Sequence, residues 1–280
     1  MKINLKPRIV ILMASIVLSS FNSCKKQAAS ISADTQAAQD NSYAEGTYSD
    51  AFNAVDVAAR SNGNTSFFKT GAPQLDMLSG GSITITFDSI SVTRKITIDF
   101  GTGTLCKDSR IRSGQIIATW NGRYRDSGTV ITITFNGYTV NGDKITGTKT
   151  VTNQGHNSRG NIHFSIVVTG ASIVTSTGTI SWQSTRDREW IKGENTLVWL
   201  DDAYSITGSA SGTNRKGQSF TITIVKPLIV ALNCPWIEQG SFDITTSTSN
   251  STGTVDYGSG NCDDLATFSL NGKTYDFTLR

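Results

Sequence analysis

The chain has 280 residues, with 25 Lys and Arg against 22 Asp and Glu, 37% hydrophobic side chains and 26 glycines. Its basic excess lies wholly in the first 23 residues, as Lys2, Lys6 and Arg8 with no acid among them, so the remainder holds 22 basic and 22 acidic side chains. A neutral body of this kind lacks the electrostatic footprint of a nucleic-acid binder, and no nucleic-acid partner is expected.

Residues 1–23 read as a signal peptide. The basic start is followed by an apolar run over 9–18, which is shorter than the roughly 20 residues a membrane-spanning helix needs and fits a signal h-region. Next comes Leu18-Ser-Ser-Phe-Asn-Ser-Cys24, then Lys25 and Lys26, which reads as a lipobox. Cleavage before Cys24 makes that cysteine the expected lipidation site. A single acyl chain holds a protein only marginally, whereas several chains or a second signal anchor it stably. A triacylated Cys24 beside two lysines meets that condition.

The Ser-Cys-Lys-Lys start followed by a Thr- and Gly-rich remainder resembles Gram-negative outer-membrane lipoproteins that carry a β ectodomain. The resemblance implies attachment to the membrane through Cys24 and an outer-membrane location, with the periplasmic and cell-surface faces both open. It brings no activity with it.

Residues 24–46 are Ala, Ser, Gln and Asp with almost no large apolar group, so nothing offsets the entropy of ordering them, and a flexible tether is expected. Over 47–60, Tyr48, Phe52, Val55 and Ala59 fall on one stripe at helical spacing. Thr47 with Asp50 makes a capping box, and Asn62-Gly63 a stop. Residues 64–80 then read as an irregular connection, completing a 47–80 segment. A chain trimmed to residue 45 is expected to keep its fold.

From residue 81 to 280 the pattern becomes alternation with period two, punctuated by Gly, Asn and Ser. In 129–135 (Thr-Val-Ile-Thr-Ile-Thr-Phe) the apolar side chains Ile131, Ile133 and Phe135 face one way and Thr132 and Thr134 the other. Similar runs occupy 82–88, 96–100, 115–120, 138–151, 161–168, 179–182, 196–200, 204–209, 219–225, 242–246, 266–270 and 274–279. Asn271-Gly272 and Asn141-Gly142 are the strongest two-residue hairpin turns. Short strands with no long helix between them predict an all-β fold: an extended antiparallel meander sheet or roll, in one piece or as two packed β subdomains.

With Cys24 lipidated, Cys106, Cys234 and Cys262 remain as an odd set, and in an oxidising envelope one disulfide is the default. Cys234 and Cys262 lie 28 residues apart, a natural span across neighbouring strands of a meander, whereas pairing either with Cys106 closes a loop of more than a hundred residues. The expected bridge is Cys234–Cys262 with Cys106 free. No short paired spacing of metal ligands is present, and neither a metal nor a cofactor is expected.

Catalytic signals are weak. His156 and His163 have no nucleophile elbow or HExxH motif around them. Asp201-Asp202 and Asp263-Asp264 are adjacent residues, which on a strand point to opposite faces. The best binding candidates are two groupings, Trp120, Arg123, Tyr124 and Arg125, and Trp182, Arg186, Arg188 and Trp190. Trp stacks on sugar rings, and the Arg guanidinium offers a planar donor fork, so a glycan or an envelope protein is the expected partner class. The expected role is non-enzymatic binding or scaffolding at the envelope. One alternative is a carrier that holds a lipid or acyl group in a half-open β cavity lidded by the 47–60 helix, and a second is a glycan-active enzyme.

Overall fold

The computed structural model describes residues 21–61, 78, 83–88, 93–196, 198, 200–234, 236–248 and 252–278, with side-chain surroundings from residue 35 onward. The signal peptide up to residue 20, the Asn62-Gly63 stop and nearly all of the 64–80 connection lie outside them. Among the described residues, one helix, α1 (Phe21–Ser61), precedes fourteen strands in a single antiparallel sheet that does not close. The strands are β1 (Thr84–Asp88), β2 (Arg94–Asp99), β3 (Thr104–Leu105), β4 (Ile111–Trp120), β5 (Val130–Val140), β6 (Asp143–His156) and β7 (Ile162–Thr175). They continue as β8 (Gly178–Lys192), β9 (Ala203–Thr213), β10 (Ser219–Ala231), β11 (Ile237–Thr246), β12 (Gly253–Ser259), β13 (Leu265–Leu270) and β14 (Lys273–Thr278). Each strand pairs with the next along the chain except β2, which pairs with β4 because the two-residue β3 is an appendage on β4. The meander is one continuous sheet and not two subdomains.

The alternation explains the sheet. Along β8 the buried inner-face positions Ile180, Trp182, Ser184, Arg186 and Trp190 are all even-numbered, with Glu189 the one buried residue on the other face, so a slip of one residue would turn the whole row to solvent. Asn141 and Asn271 both have φ of 51°, with Gly142 and Gly272 also positive, the two-residue turn that the Asn-Gly pairs predict. The 196–200 run is an exception. It lies in the loop between β8 and β9, where Thr196 turns back through its hydroxyl onto Val198 O and Asp201 Oδ1. The strand β12 comes from a run that the spacing argument leaves unassigned. The disulfide joins Cys234 and Cys262 at the ends of neighbouring hairpins, and Cys106 is free and buried.

The curl of the sheet wraps α1, which touches β2 and β4 on one side and β8 and β11 on the other. The helix is far longer than the expected 47–60 segment and does not start at Thr47. Thr47 bonds back to Tyr43 O inside the helix, and Asp50 pairs with Arg110 and Arg112, so neither residue caps anything. The expected tether is corrected in the same way, since Ala37, Asp40, Asn41 and Ala44 are each 5% exposed or less. What orders this polar stretch is not apolar mass but partners on the sheet. Asp40 bonds Arg215 at its backbone and guanidinium, and Asn41 Oδ1 accepts the indole N–H of Trp182 at 2.9 Å.

A chain trimmed to residue 45 would therefore lose both of these contacts. We expect its urea midpoint to fall by the equivalent of at least about 2 kcal/mol, because Trp182 and Arg215 are left with unanswered donors. An unfolding curve superimposable on that of the longer chain would show that residues 37–44 contribute nothing.

Candidate functional site

The groove of the sheet and the helix inside it hold most of the molecule's buried charge. The inner face of α1 is largely alanine, with Ala37, Ala44, Ala51, Ala54, Ala58 and Ala59 all buried. A buried methyl(ene) is worth about 0.8 kcal/mol, against about 1.5–3 for a Leu or Phe side chain, so apolar packing alone holds this helix weakly. Tyr48 and Phe52 are the larger anchors. Tyr48 stacks on Trp182 with ring centroids 5.6 Å apart, meets Phe135 edge-on, and donates its hydroxyl to Thr146 O.

The rest of the attachment is electrostatic. Four carboxylates along the helix face the sheet in order: Asp40 to Arg215, Glu45 to Arg186, Asp50 to Arg110 and Arg112, and Asp56 near Tyr124 and Tyr204, whose ionisation it influences. Arg112 is 1% exposed. Burial works against its charge, but hydrogen bonds to Asp108 and Asp50 more than offset that, and its pKa is raised. Lys149 is different. Its ammonium donates to Tyr48 O at 3.1 Å and lies 5.6 Å from the Phe52 ring centroid. Burial first, and then repulsion from Arg188, lower its pKa to about 8, with Glu45 opposing.

The structure brings the expected binding residues together, but inside the fold and not on a surface. Trp120, Tyr124, Trp182, Arg186 and Trp190 are each 4% exposed or less, because strand-spaced aromatics on the inner face are what packs against the helix. Arg188 lies over the rings of Phe52, Phe164 and Tyr204 and donates to the Tyr124 hydroxyl. Arg123 and Arg125 alone are exposed, and Arg125 is laid over the Trp190 ring and bonded to Glu194 O. The surface Trp and Arg glycan site is thereby corrected: all of these groups but Arg123 and Arg125 lie inside the fold.

Other carboxylates and both histidines are committed to the fold. Asp202 accepts from the Trp190 indole, Asp201 from Thr196, and Asp263 from the backbone N–H of Leu265. His156 pairs with Glu194, and His163 with Asp187 at 2.7 Å. On the outer face, an open cleft of about 550 Å³ is lined by Arg159, Asn161, Glu189, Ile191, Lys226 and Gln239. Glu189 there takes bonds from Arg159, Asn157 and Asn161, which hold its pKa down at about 2, so its lone pairs are already used. Among the described residues, the one group compact enough for a metal is Cys234, Glu238 and Cys262, and its two sulfurs are joined to each other. No protein-family model, no curated protein and no solved structure matches this chain.

The sign of the Lys149 effect can be tested. Its pKa falls from 10.5 in the unfolded chain to about 8 in the fold, so the unfolded state binds more protons between those values and stability rises with pH across that window. Buried tyrosines, among them Tyr124 with its pKa raised to about 12, oppose this above pH 10, since the unfolded chain then loses protons that the folded chain keeps. Lys149→Met should remove the rise between pH 8 and 10 and leave the decline above it. Parallel pH–stability curves for the two proteins would exclude a buried, depressed Lys149.

Proposed function

We propose that the protein is a lipid-anchored envelope protein, held at the outer membrane through Cys24, whose β body has a non-enzymatic binding or scaffolding role. The observation that supports this most is the continuity of α1. The described span of α1 takes in Cys24 and reaches the groove by Ala37, a rise of about 20 Å between the two at 1.5 Å per residue. An acyl group on Cys24 is then joined to the sheet through a rod instead of a loose tether, an arrangement suited to presenting a surface at a set distance from the bilayer. No described helix is long and apolar enough to cross a membrane.

The groove favours binding or scaffolding over the carrier. A carrier needs apolar room for an acyl chain, and here Tyr48, Phe52 and the alanine face of α1 occupy the curl of the sheet. A glycan-active enzyme needs two carboxylates free to act across a bond, and Asp202, Asp201 and Asp263 are tied to Trp190, Thr196 and Leu265.

Cys24→Ala tests the anchor. The variant should accumulate as an uncut or soluble precursor and should not incorporate labelled palmitate, while the parent protein partitions with membranes. Equal labelling of the two proteins would remove the basis of this reading.

A further inference from the structure

The inner face of β8 carries polar groups that the helix does not satisfy. Ser184 Oγ, Arg186 Nη1 and Arg188 Nε are buried and have no hydrogen-bond partner among the described residues. Ser184 and Arg186 are 5% and 4% exposed, and a buried donor left unanswered costs about 1–3 kcal/mol. The three follow one another at alternate positions on a single strand, and all face the helix.

Charge and space coincide at the Ser184 and Arg186 end. Lys149 of β6 stands opposite Val168, and Val168 opposite Ser184, so Lys149 and Ser184 lie in one row about 10 Å apart across three strands. Arg186 spends Nη2 on Glu45, and the same carboxylate is the one attractive charge acting on Lys149. Two cations thus share one carboxylate, while Asp56 and Asp202 act at the Tyr124 and Tyr204 end, near Arg188. On β9 the residues opposite Arg186 and Ser184 are Gly208 and Ala210. Gly208 has φ of +122° and its backbone passes so close to that of β8 that a Cβ would sit 2.1 Å from Thr185 O, so β9 presents no side chain opposite Arg186. On the helix, Glu45 is 39% exposed and the next residue, Gly46, has open space where a side chain would be. Residues 45–46 are therefore where the helix covers the Arg186 end of β8 thinly.

We propose that this end of the groove binds an oxyanion, held by the Ser184 hydroxyl, the free guanidinium nitrogen of Arg186 and the positive potential of Lys149. The class of ligand is a phosphate, free or carried on a lipid headgroup. A dianion would complete the unsatisfied donors and balance the second cation, and would raise the Lys149 pKa toward its ordinary value. The inference lies in the groove on which the binding role rests, and it concerns the groove alone, so it stands or falls separately from lipidation of Cys24.

The test uses the full chain extracted in non-ionic detergent, with thermal melting followed at pH 8 in inorganic phosphate, in dihexanoyl phosphatidate, and in chloride at matched ionic strength. Phosphate should raise the melting temperature in a saturable manner, with proton uptake on binding near pH 8–9. Stabilisation by phosphatidate alone would assign the site to a lipid headgroup, and stabilisation by both to the oxyanion itself. Ser184→Ala, which removes only a hydroxyl, should weaken binding about tenfold, and Lys149→Gln should abolish the proton uptake. No stabilisation beyond chloride, or stabilisation unchanged in both variants, would overturn the proposal. The palmitate experiment reads the anchor independently.

Discussion

The fold depends on the pairing of helix carboxylates with arginines on the inside of the sheet. A fourteen-strand meander that curls without closing leaves an interior to fill, and here the filler is a helix whose buried face is mostly methyl groups. Those methyls allow close approach but give little energy or direction. Asp40, Glu45 and Asp50 supply the direction: they meet Arg215 in the β9–β10 turn, Arg186 on β8 and Arg112 on β4, which fixes how far the helix is pushed in and how it is turned. The trade is uneven, since taking both charges of a pair out of water offsets much of their attraction. Removing one member costs more than the pair contributes, so the arrangement selects one docking register even where it adds modest net stability.

The same polar contacts reach back into the sheet. Trp182 needs Asn41, Arg215 needs Asp40, and Arg112 draws on Asp50 and Asp108 together. Because β8 carries Trp182, Ser184 and Arg186 on one face, its register against β7 and β9 decides whether those groups meet the helix or water. Glycines with positive φ at 147, 208 and 240 sit where strands draw too close for a side chain, with neighbouring backbone atoms 2.1–2.7 Å from where a Cβ would be. These are the places where the ladder shifts and the sheet can bend around its occupant.

How much of this could be read from the residues depends on how local the cause was. Strand alternation was plain in 129–135 because one face of the sheet is wet and carries threonine, and the Asn-Gly turns declared their own geometry. The disulfide followed from spacing, since both partners lie in neighbouring hairpins. The helix was only half visible. The aromatic and branched side chains of 48–59 mark it, but 35–46 has no apolar periodicity, and what orders that part is a set of partners 141 and 175 residues away at Arg186 and Arg215. No window along the chain contains those pairs. The Trp and Arg groupings were found for the right reason, as groups able to stack and donate, but which face of a strand is inner is decided by the occupant of the curl. That occupant is a segment whose composition reads as tether.

The occupied groove also constrains what the protein can bind. A helix tied to the sheet by its own chain competes at an effective concentration in the millimolar range, so a ligand that had to displace α1 would give up that factor together with the Trp182, Arg186 and Arg215 contacts. Binding beside the helix carries no such penalty. In the proposed site beside Glu45 and Gly46, a ligand that meets the groups the helix leaves unpaired would add to the ion-pair network instead of breaking it. A groove of this kind suits small charged groups or headgroups over acyl chains. Larger partners are left to the outer face, where the long strands present Thr and Ser and where Glu189 and Arg159 already hold each other.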